Sequence, residues 1–186
     1  MARRMTVLAL LLALLAMGAS SAAEGEYYGS HPAEDIFMTQ TRRHTCTLIA
    51  TTMMLRSYSS RLGSPYGHVT ESGVGNFAWI KGRGLRQTFS IGQVTVNSSA
   101  DIRSCGDRKA YLIEALQAHP EGVVIYDTGA PHAIWLFGYD VDSDTFYCAD
   151  TIASRGGRAI PLEDSIIRGA TQADKVNTID KIWYIE

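Results

Sequence analysis

Cys46 is the residue of this chain whose type and position best suit covalent chemistry. It opens a stretch, Cys46 to Tyr58, in which apolar residues recur at helical spacing, so a helix is predicted to begin here with Thr45 as its N-cap. A helix N-terminus stabilises negative charge and lowers the pKa of a thiol placed there. The position allows a nucleophilic thiolate at Cys46, although a lone cysteine at a helix start is more often a small packed core residue.

His132 and Asp150 are the predicted partners of this thiol. A cysteine nucleophile needs a histidine, and the histidine needs a third group that orients its ring. His132 opens one predicted strand and Asp150 closes the next, with the polar turn 140–144 between them. An antiparallel hairpin turning at position 141 pairs the two residues directly, and one turning at 142 makes them diagonal neighbours. Taken alone, each residue is also compatible with an exposed strand end or a turn cap.

Gln40 stands six residues before Cys46 and completes the candidate site. Attack on a carbonyl group leaves negative charge on its oxygen, which a side-chain amide and a backbone N–H can stabilise together. Gln40 and the backbone amide of Cys46 are therefore the candidate oxyanion hole. An ordinary surface glutamine is the other interpretation.

The predicted elements around these residues are a helix followed by antiparallel strands, which indicates an α+β fold. The helix at Cys46 is apolar on almost all sides and is expected to be central and buried. Residues 63–104 are rich in Gly and Ser and are difficult to assign. The other predicted elements are helices at 107–118 and 163–175 and strands at 88–91, 93–96, 123–126, 132–139, 145–150 and 181–185.

The N-terminal residues 1–23 have the pattern of a cleavable signal peptide: two arginines, a short apolar stretch and a small-residue exit. The apolar stretch is shorter than the roughly 20 residues that span a bilayer, and an uncleaved anchor is the alternative. Residues 24–186 then form one secreted or periplasmic domain without stable membrane insertion. A formal net charge of −2 with no long basic run argues against nucleic acid as a partner.

The chain has three cysteines, an odd number for an exported protein. A disulfide between Cys105 and Cys148 would leave Cys46 free, and a buried thiol at Cys148 is the equal alternative. A zinc site made by Cys46, His44, His132 and Cys148 lacks any of the usual ligand spacings. Neither a metal nor another cofactor is therefore expected.

In their order and approximate spacing, Gln40, Cys46, His132 and Asp150 resemble the papain-like cysteine peptidases. The nearest likeness is to the bacterial branch typified by peptidases that cut the double-glycine leader peptides of bacteriocins. It covers residues 36–186 and includes the glutamine six places before the nucleophile. Where that branch usually has Asp-Cys-Gly, this chain has Thr45-Cys46-Thr47, a difference that bears on leader-peptide specificity more than on the chemistry.

The resemblance implies a papain-like fold and a secreted cysteine hydrolase that cleaves peptide or amide bonds in a peptide or protein substrate. Cys46 would attack the acyl carbon, His132 would activate it and protonate the leaving amine, and Asp150 would orient the ring. Two alternatives stay open. One is a cell-wall amidase or peptidase of the NlpC type acting on peptidoglycan peptides, and the other is an inactive binding module on the same fold.

Overall fold

The computed structural model describes residues 25–63, 65–152 and 156–186, so the predicted signal peptide lies outside the described residues. Within this part of the chain the fold is α+β, as predicted. The helices are α1 (Cys46–Leu62), α2 (Glu71–Ala78), α3 (Arg108–Ala118) and α4 (Gln172–Thr178). The strands are β1 (Tyr27–Gly29), β2 (Trp79–Ile80), β3 (Gly84–Leu85), β4 (Phe89–Ile91), β5 (Val94–Ser99), β6 (Val123–Asp127), β7 (His132–Asp140), β8 (Thr145–Asp150), β9 (Ile160–Pro161) and β10 (Lys181–Ile185).

Most strands form one antiparallel sheet in the order β4-β5-β10-β6-β7-β8-β9, with β1 paired to the second half of β7. Side chains alternate along β7, so that Trp135 and Phe137 face α1 while Ile134 and Leu136 face the layer that contains α3 and α4. The sheet therefore separates two hydrophobic cores. Every residue of β7 except its last is buried, so this strand lies in the interior of the fold.

Helix α1 is central and buried, as its apolar sequence predicts. Its two consecutive threonines Thr51 and Thr52 are fully buried, and their hydroxyls donate to the backbone carbonyls of Thr47 and Leu48 at 2.7 and 2.8 Å. These bonds satisfy polar groups that would otherwise be costly to bury. In the described residues, no helix combines the length and the apolar character needed to cross a bilayer.

The turn that leads into α1 determines where the helix begins. His44 adopts a φ of 66°, a left-handed conformation that is uncommon for residues other than glycine. Thr45 is the N-cap residue, as predicted, but its side chain makes no capping bond, because its hydroxyl donates instead to the carbonyl of Arg42 at 3.1 Å. The first backbone N–H groups of α1 are thus left without a side-chain cap at the end where Cys46 lies.

The helix predicted at 163–175 lies further along the chain, at Gln172–Thr178. The helix α4 begins only at Gln172, because Thr171 and Asp174 form a reciprocal capping box, and Gly169 just before it has a φ of 134°. Two further elements, α2 and the β2–β3 hairpin, lie in the region 63–104 that the sequence leaves unassigned.

All three cysteines are free thiols in the structure, so the disulfide between Cys105 and Cys148 that the sequence left open is not formed. Cys148 is fully buried in the core beneath α3 and α4, and burial raises the pKa of its thiol well above the ordinary value. The Cys105 thiol is partly exposed and donates to the carbonyl of Asp107 at 3.2 Å.

Candidate active site

The thiol of Cys46 lies at the first residue of α1, against the start of β7. Cys46 is 9% exposed, so this residue is largely covered, but it still lines a surface cavity. Backbone N–H groups of Thr47 and Ala133 hydrogen-bond to the sulfur. The helix start and the strand start thus both present donors to one atom, an arrangement that favours negative charge on it.

The structure brings His132 and Asp150 together at one end of the sheet. In the ladder, Asp150 pairs with Ile134 and His132 pairs with Asp127, so the histidine and Asp150 are diagonal neighbours across β7 and β8. This is the register of a hairpin turning at 142, one of the two that the sequence allows. Nε2 of His132 lies 3.0 Å from Oδ1 of Asp150, and both residues are buried.

The Asp150 carboxylate is held by more than the histidine. Its Oδ1 also accepts from the backbone N–H of Ile152 at 3.1 Å, and Oδ2 accepts from that of Ile166 at 2.8 Å. Burial raises the pKa of this carboxyl, but the hydrogen bonds and the charge of His132 outweigh it and leave the pKa below the ordinary value. The group is therefore an ionised, fixed acceptor that can orient the imidazole.

The pKa values of Cys46 and His132 move in opposite directions because the two side chains hydrogen-bond to each other. Burial raises the pKa of the Cys46 thiol, yet His132 and the two backbone donors lower it overall. Burial lowers the pKa of His132, yet its bonds to Asp150 and Cys46 raise it to about 9. Both shifts favour a thiolate–imidazolium pair over a neutral thiol and a neutral imidazole.

Gln40 lies beside this cluster but points elsewhere. Its backbone N–H donates to the carbonyl of Thr151 at 2.6 Å, directly after Asp150. Its side-chain Nε2 donates to the carbonyl of Arg42 at 2.5 Å, and Oε1 accepts from the Thr151 hydroxyl at 3.4 Å. The structure thus places Gln40 next to the end of β8, with one amide hydrogen committed to the turn before α1.

Asp127 is a residue of the site region that sequence reasoning missed. It is fully buried and pairs with His132 across the ladder. Its Oδ1 accepts from the backbone N–H groups of Gly129 and Ala130 at 2.8 and 3.3 Å, and from Nη2 of Arg168 at 3.2 Å. These bonds stabilise the turn between β6 and β7, so Asp127 holds the loop that directly precedes His132.

We expect the substitution Asp127→Ala to lower the free energy of unfolding by about 2–4 kcal/mol, because it removes a buried acceptor of three hydrogen bonds. Urea denaturation of the variant and the wild type measures the difference. Asp127→Asn keeps an oxygen acceptor at the same position and is expected to lose less than half as much. A loss below about 1 kcal/mol for Asp127→Ala would show that the loop does not depend on this carboxylate.

A cavity of about 340 Å³ opens beside Cys46. One part of its wall comes from the region 63–104 that the sequence leaves unassigned, and another part comes from the strand β10. No sequence pattern links β10 to Cys46. Its walls include the side chains of His44, Trp79, Arg83, Arg103, Lys181 and Trp183. A nucleophile at the edge of a cavity with aromatic and polar walls is typical of a binding cleft.

Two other features of the described residues do not belong to this cleft. A cavity of about 740 Å³ lies near Tyr27, Phe37 and Phe137, and Cys46 does not line it. Within residues 25–63, 65–152 and 156–186, no group of three or more His, Cys, Asp or Glu side chains could hold a metal ion. The zinc interpretation requires Cys148 to join Cys46, but the two lie in different cores on opposite faces of the sheet.

No family model, curated protein or solved structure matches this chain. The functional proposal that follows therefore rests on the geometry around Cys46, His132 and Asp150.

Proposed function

We propose that this protein is a cysteine hydrolase that cleaves peptide or amide bonds, with Cys46 as nucleophile, His132 as acid and base, and Asp150 as the group that orients the imidazole. The observation that carries the proposal is the connected chain of contacts from the Cys46 thiol through the His132 ring to the buried Asp150 carboxylate. Cys46, at one end of this series of contacts, lines the cavity of about 340 Å³ that is the proposed substrate site.

The reaction follows from these contacts. The Cys46 thiolate attacks the acyl carbon and forms a carbon–sulfur bond, while the proton on His132 passes to the leaving amine as the carbon–nitrogen bond breaks. Neutral His132 then takes a proton from water, whose oxygen attacks the thioester; the carbon–sulfur bond breaks, and the products are an acid and the original thiolate–imidazolium pair. Asp150 stabilises the imidazolium before acylation and again as it re-forms during hydrolysis of the thioester.

The backbone N–H of Cys46 and the side chain of Gln40 are the proposed oxyanion donors. The backbone donor lies in the uncapped first turn of α1, where N–H groups lack intrahelical partners. Gln40 has a second amide hydrogen besides the one that Arg42 accepts, and a turn of its side chain away from Arg42 would make both available.

The papain-like fold is the finer architecture that we propose for residues 24–186, because a nucleophile-bearing central helix packs on an antiparallel sheet that carries the histidine and the acid. Export to the periplasm or the medium is proposed from the pattern of residues 1–23. A peptide or protein is the proposed substrate.

The proposal is tested by labelling the purified protein with a peptidyl acyloxymethyl ketone, an electrophile that reacts with activated thiols, under reducing conditions. Mass spectrometry of the intact and digested protein is expected to find one label, on Cys46, and none on the variant Cys46→Ala. The matched control is Cys105→Ala, which removes a more exposed thiol and is expected to label like the wild type.

Cleavage of a peptide library and of peptidoglycan, each compared between the wild type and Cys46→Ala, then separates the alternatives. Release of fragments only from peptidoglycan would favour the cell-wall enzyme. A Cys46 thiol that reacts only after unfolding would contradict the enzymatic proposal and leave the binding module as the better account.

A further inference from the structure

The cavity beside Cys46 is positively charged. The side chains of Arg83, Arg103 and Lys181 line it, and no Asp or Glu of the described residues does so. Nη2 of Arg103 lies 3.7 Å from Oδ1 of Asp180, which neutralises part of its charge. In the described part of the chain, no carboxylate oxygen lies within 4.0 Å of the side-chain nitrogens of Arg83 or Lys181. Excess positive charge is thus retained next to the nucleophile.

Two of these cations are fixed by the fold. Nζ of Lys181 lies 4.2 Å from the ring centroid of Trp183. Lys181 is also the first residue of the strand β10, which pairs with β5 and β6. Nε of Arg103 donates to the backbone carbonyl of Asp180 at 3.0 Å. Burial, and then the charge of Arg103, lower the pKa of Lys181, and the charge of Asp180 offsets part of this shift. An anion in the cavity would relieve the repulsion between the two cations.

We propose that the substrate carries a carboxylate close to the bond that is cleaved, and that Arg83 and Lys181 bind this carboxylate in the cavity beside Cys46. The inference rests on the proposed function, because it names the substrate class of the same site. Arginine and lysine donors form strong charge-assisted hydrogen bonds to carboxylates. The aromatic walls at Trp79 and Trp183 would cover the aliphatic part of an acidic residue.

Iodoacetate and iodoacetamide provide a test that needs no identified substrate. Both alkylate a thiolate by the same displacement of iodide, but only iodoacetate carries a carboxylate. The ratio of their rate constants at Cys46 is measured by mass spectrometry in the wild type and in the double variant Arg83→Gln, Lys181→Met. The Met side chain keeps the packing over Trp183, and the His132 charge is the same in both proteins.

The ratio of the iodoacetate rate to the iodoacetamide rate is expected to fall about fivefold in the double variant at 10 mM salt, since two positive charges that line the cavity beside Cys46 are lost. In 0.5 M salt the difference is expected to shrink, because screening weakens the attraction. The control variant Arg158→Gln, Lys109→Met removes the same net charge outside this cavity and is expected to keep the wild-type ratio. Each single substitution is also measured, so that the test does not depend on folding of the double variant.

Protection experiments distinguish the two sources of such a carboxylate. Short peptide amides containing Asp are compared with the same peptides containing Asn, and peptides with a free C-terminal carboxylate are compared with their amides, as inhibitors of alkylation by iodoacetamide. Stronger protection by either acidic member identifies the side chain or the terminus as the group bound.

An unchanged rate ratio in the variants, with rapid alkylation of Cys46 by iodoacetamide, would overturn the anionic substrate and leave the hydrolase proposal intact. Slow alkylation of wild-type Cys46 by iodoacetamide itself, at the rate of an ordinary thiol, would overturn both. The two failures are therefore distinguishable in one set of measurements.

Discussion

Replacement of His132 by alanine is expected to lower kcat/KM for hydrolysis of a peptide that the wild type cleaves by about 10³-fold, the scale of general acid–base catalysis. The variant loses the group that hydrogen-bonds to the Cys46 thiol, so the pKa of this thiol is expected to rise relative to the wild type. It also loses the proton donor and acceptor of both chemical steps. Initial rates at pH 7 under reducing conditions measure the change.

His44→Asn is the matched control for this substitution. His44 also lines the cavity at Cys46, but His132, not His44, is the histidine that hydrogen-bonds to the thiol. Asparagine tolerates the left-handed φ of 66° at this position better than alanine would. We expect kcat/KM to stay within about threefold of the wild type, well under the 10²–10⁴ range of acid–base catalysis. Equal losses in the two variants would show that His132 has no special role.

Replacement of Asp150 by alanine is expected to lower the free energy of unfolding at pH 6 by about 4 kcal/mol, because it leaves the buried His132 ring and two backbone N–H groups without their acceptor. Urea denaturation measures this loss. Asp150→Asn keeps one oxygen acceptor and is expected to lose less stability. An Asp150→Ala variant as stable as the wild type would contradict the assigned role of this carboxylate.

The stability difference between the wild type and Asp150→Ala is also expected to depend on pH. The lowered pKa of Asp150 gives stabilisation that is present above the unfolded value of about 3.9 and is lost as the pH falls through the folded value. The pKa of His132, raised to about 9, gives stabilisation that is complete below the unfolded value near 6.5 and is lost as the pH rises to 9. The difference is thus expected to be greatest between about pH 4 and 6.5.

The core of the site could be predicted because it depends on local patterns. The alternation and turn signals between His132 and Asp150 fix two strands whose ends lie together, and the observed strands differ from the predicted ones by at most one residue. The apolar stretch after Thr45 likewise gives the start of α1. The choice between the two hairpin registers could not be made, since it depends on the shift in pairing between Leu136 and Gly138.

Helix α2 could not be predicted because its own sequence disfavours a helix. It contains Gly73 and Gly75, each of which costs about 1 kcal/mol relative to alanine in a helix. A Cβ atom at Gly75 would lie 3.4 Å from the Leu48 side chain, so packing against α1 selects the helix where propensity does not. The hydroxyl of Thr70 caps it by accepting from the N–H of Gly73 at 3.1 Å.

The positive charge of the cavity could not be predicted from the sequence either. Arg83, Arg103 and Lys181 belong to three separate segments, and the chain as a whole has a formal charge of −2. Only the pairing of β10 with β5 and β6 brings Lys181 into the neighbourhood of residues 79–103 and of Cys46. Net composition therefore gives no sign of a basic cleft inside a mildly acidic protein.

The pH profile of Cys46 alkylation by iodoacetamide, followed by mass spectrometry in the wild type and in His132→Ala, tests the active-site account most directly. We expect the wild-type rate to rise at a lower pH than that of an ordinary thiol, whose pKa is about 8.5, with a further change near pH 9 as His132 loses its proton. The variant is expected to show one rise, at or above 8.5. A wild-type profile that coincides with that of the variant would contradict the thiolate–imidazolium pair.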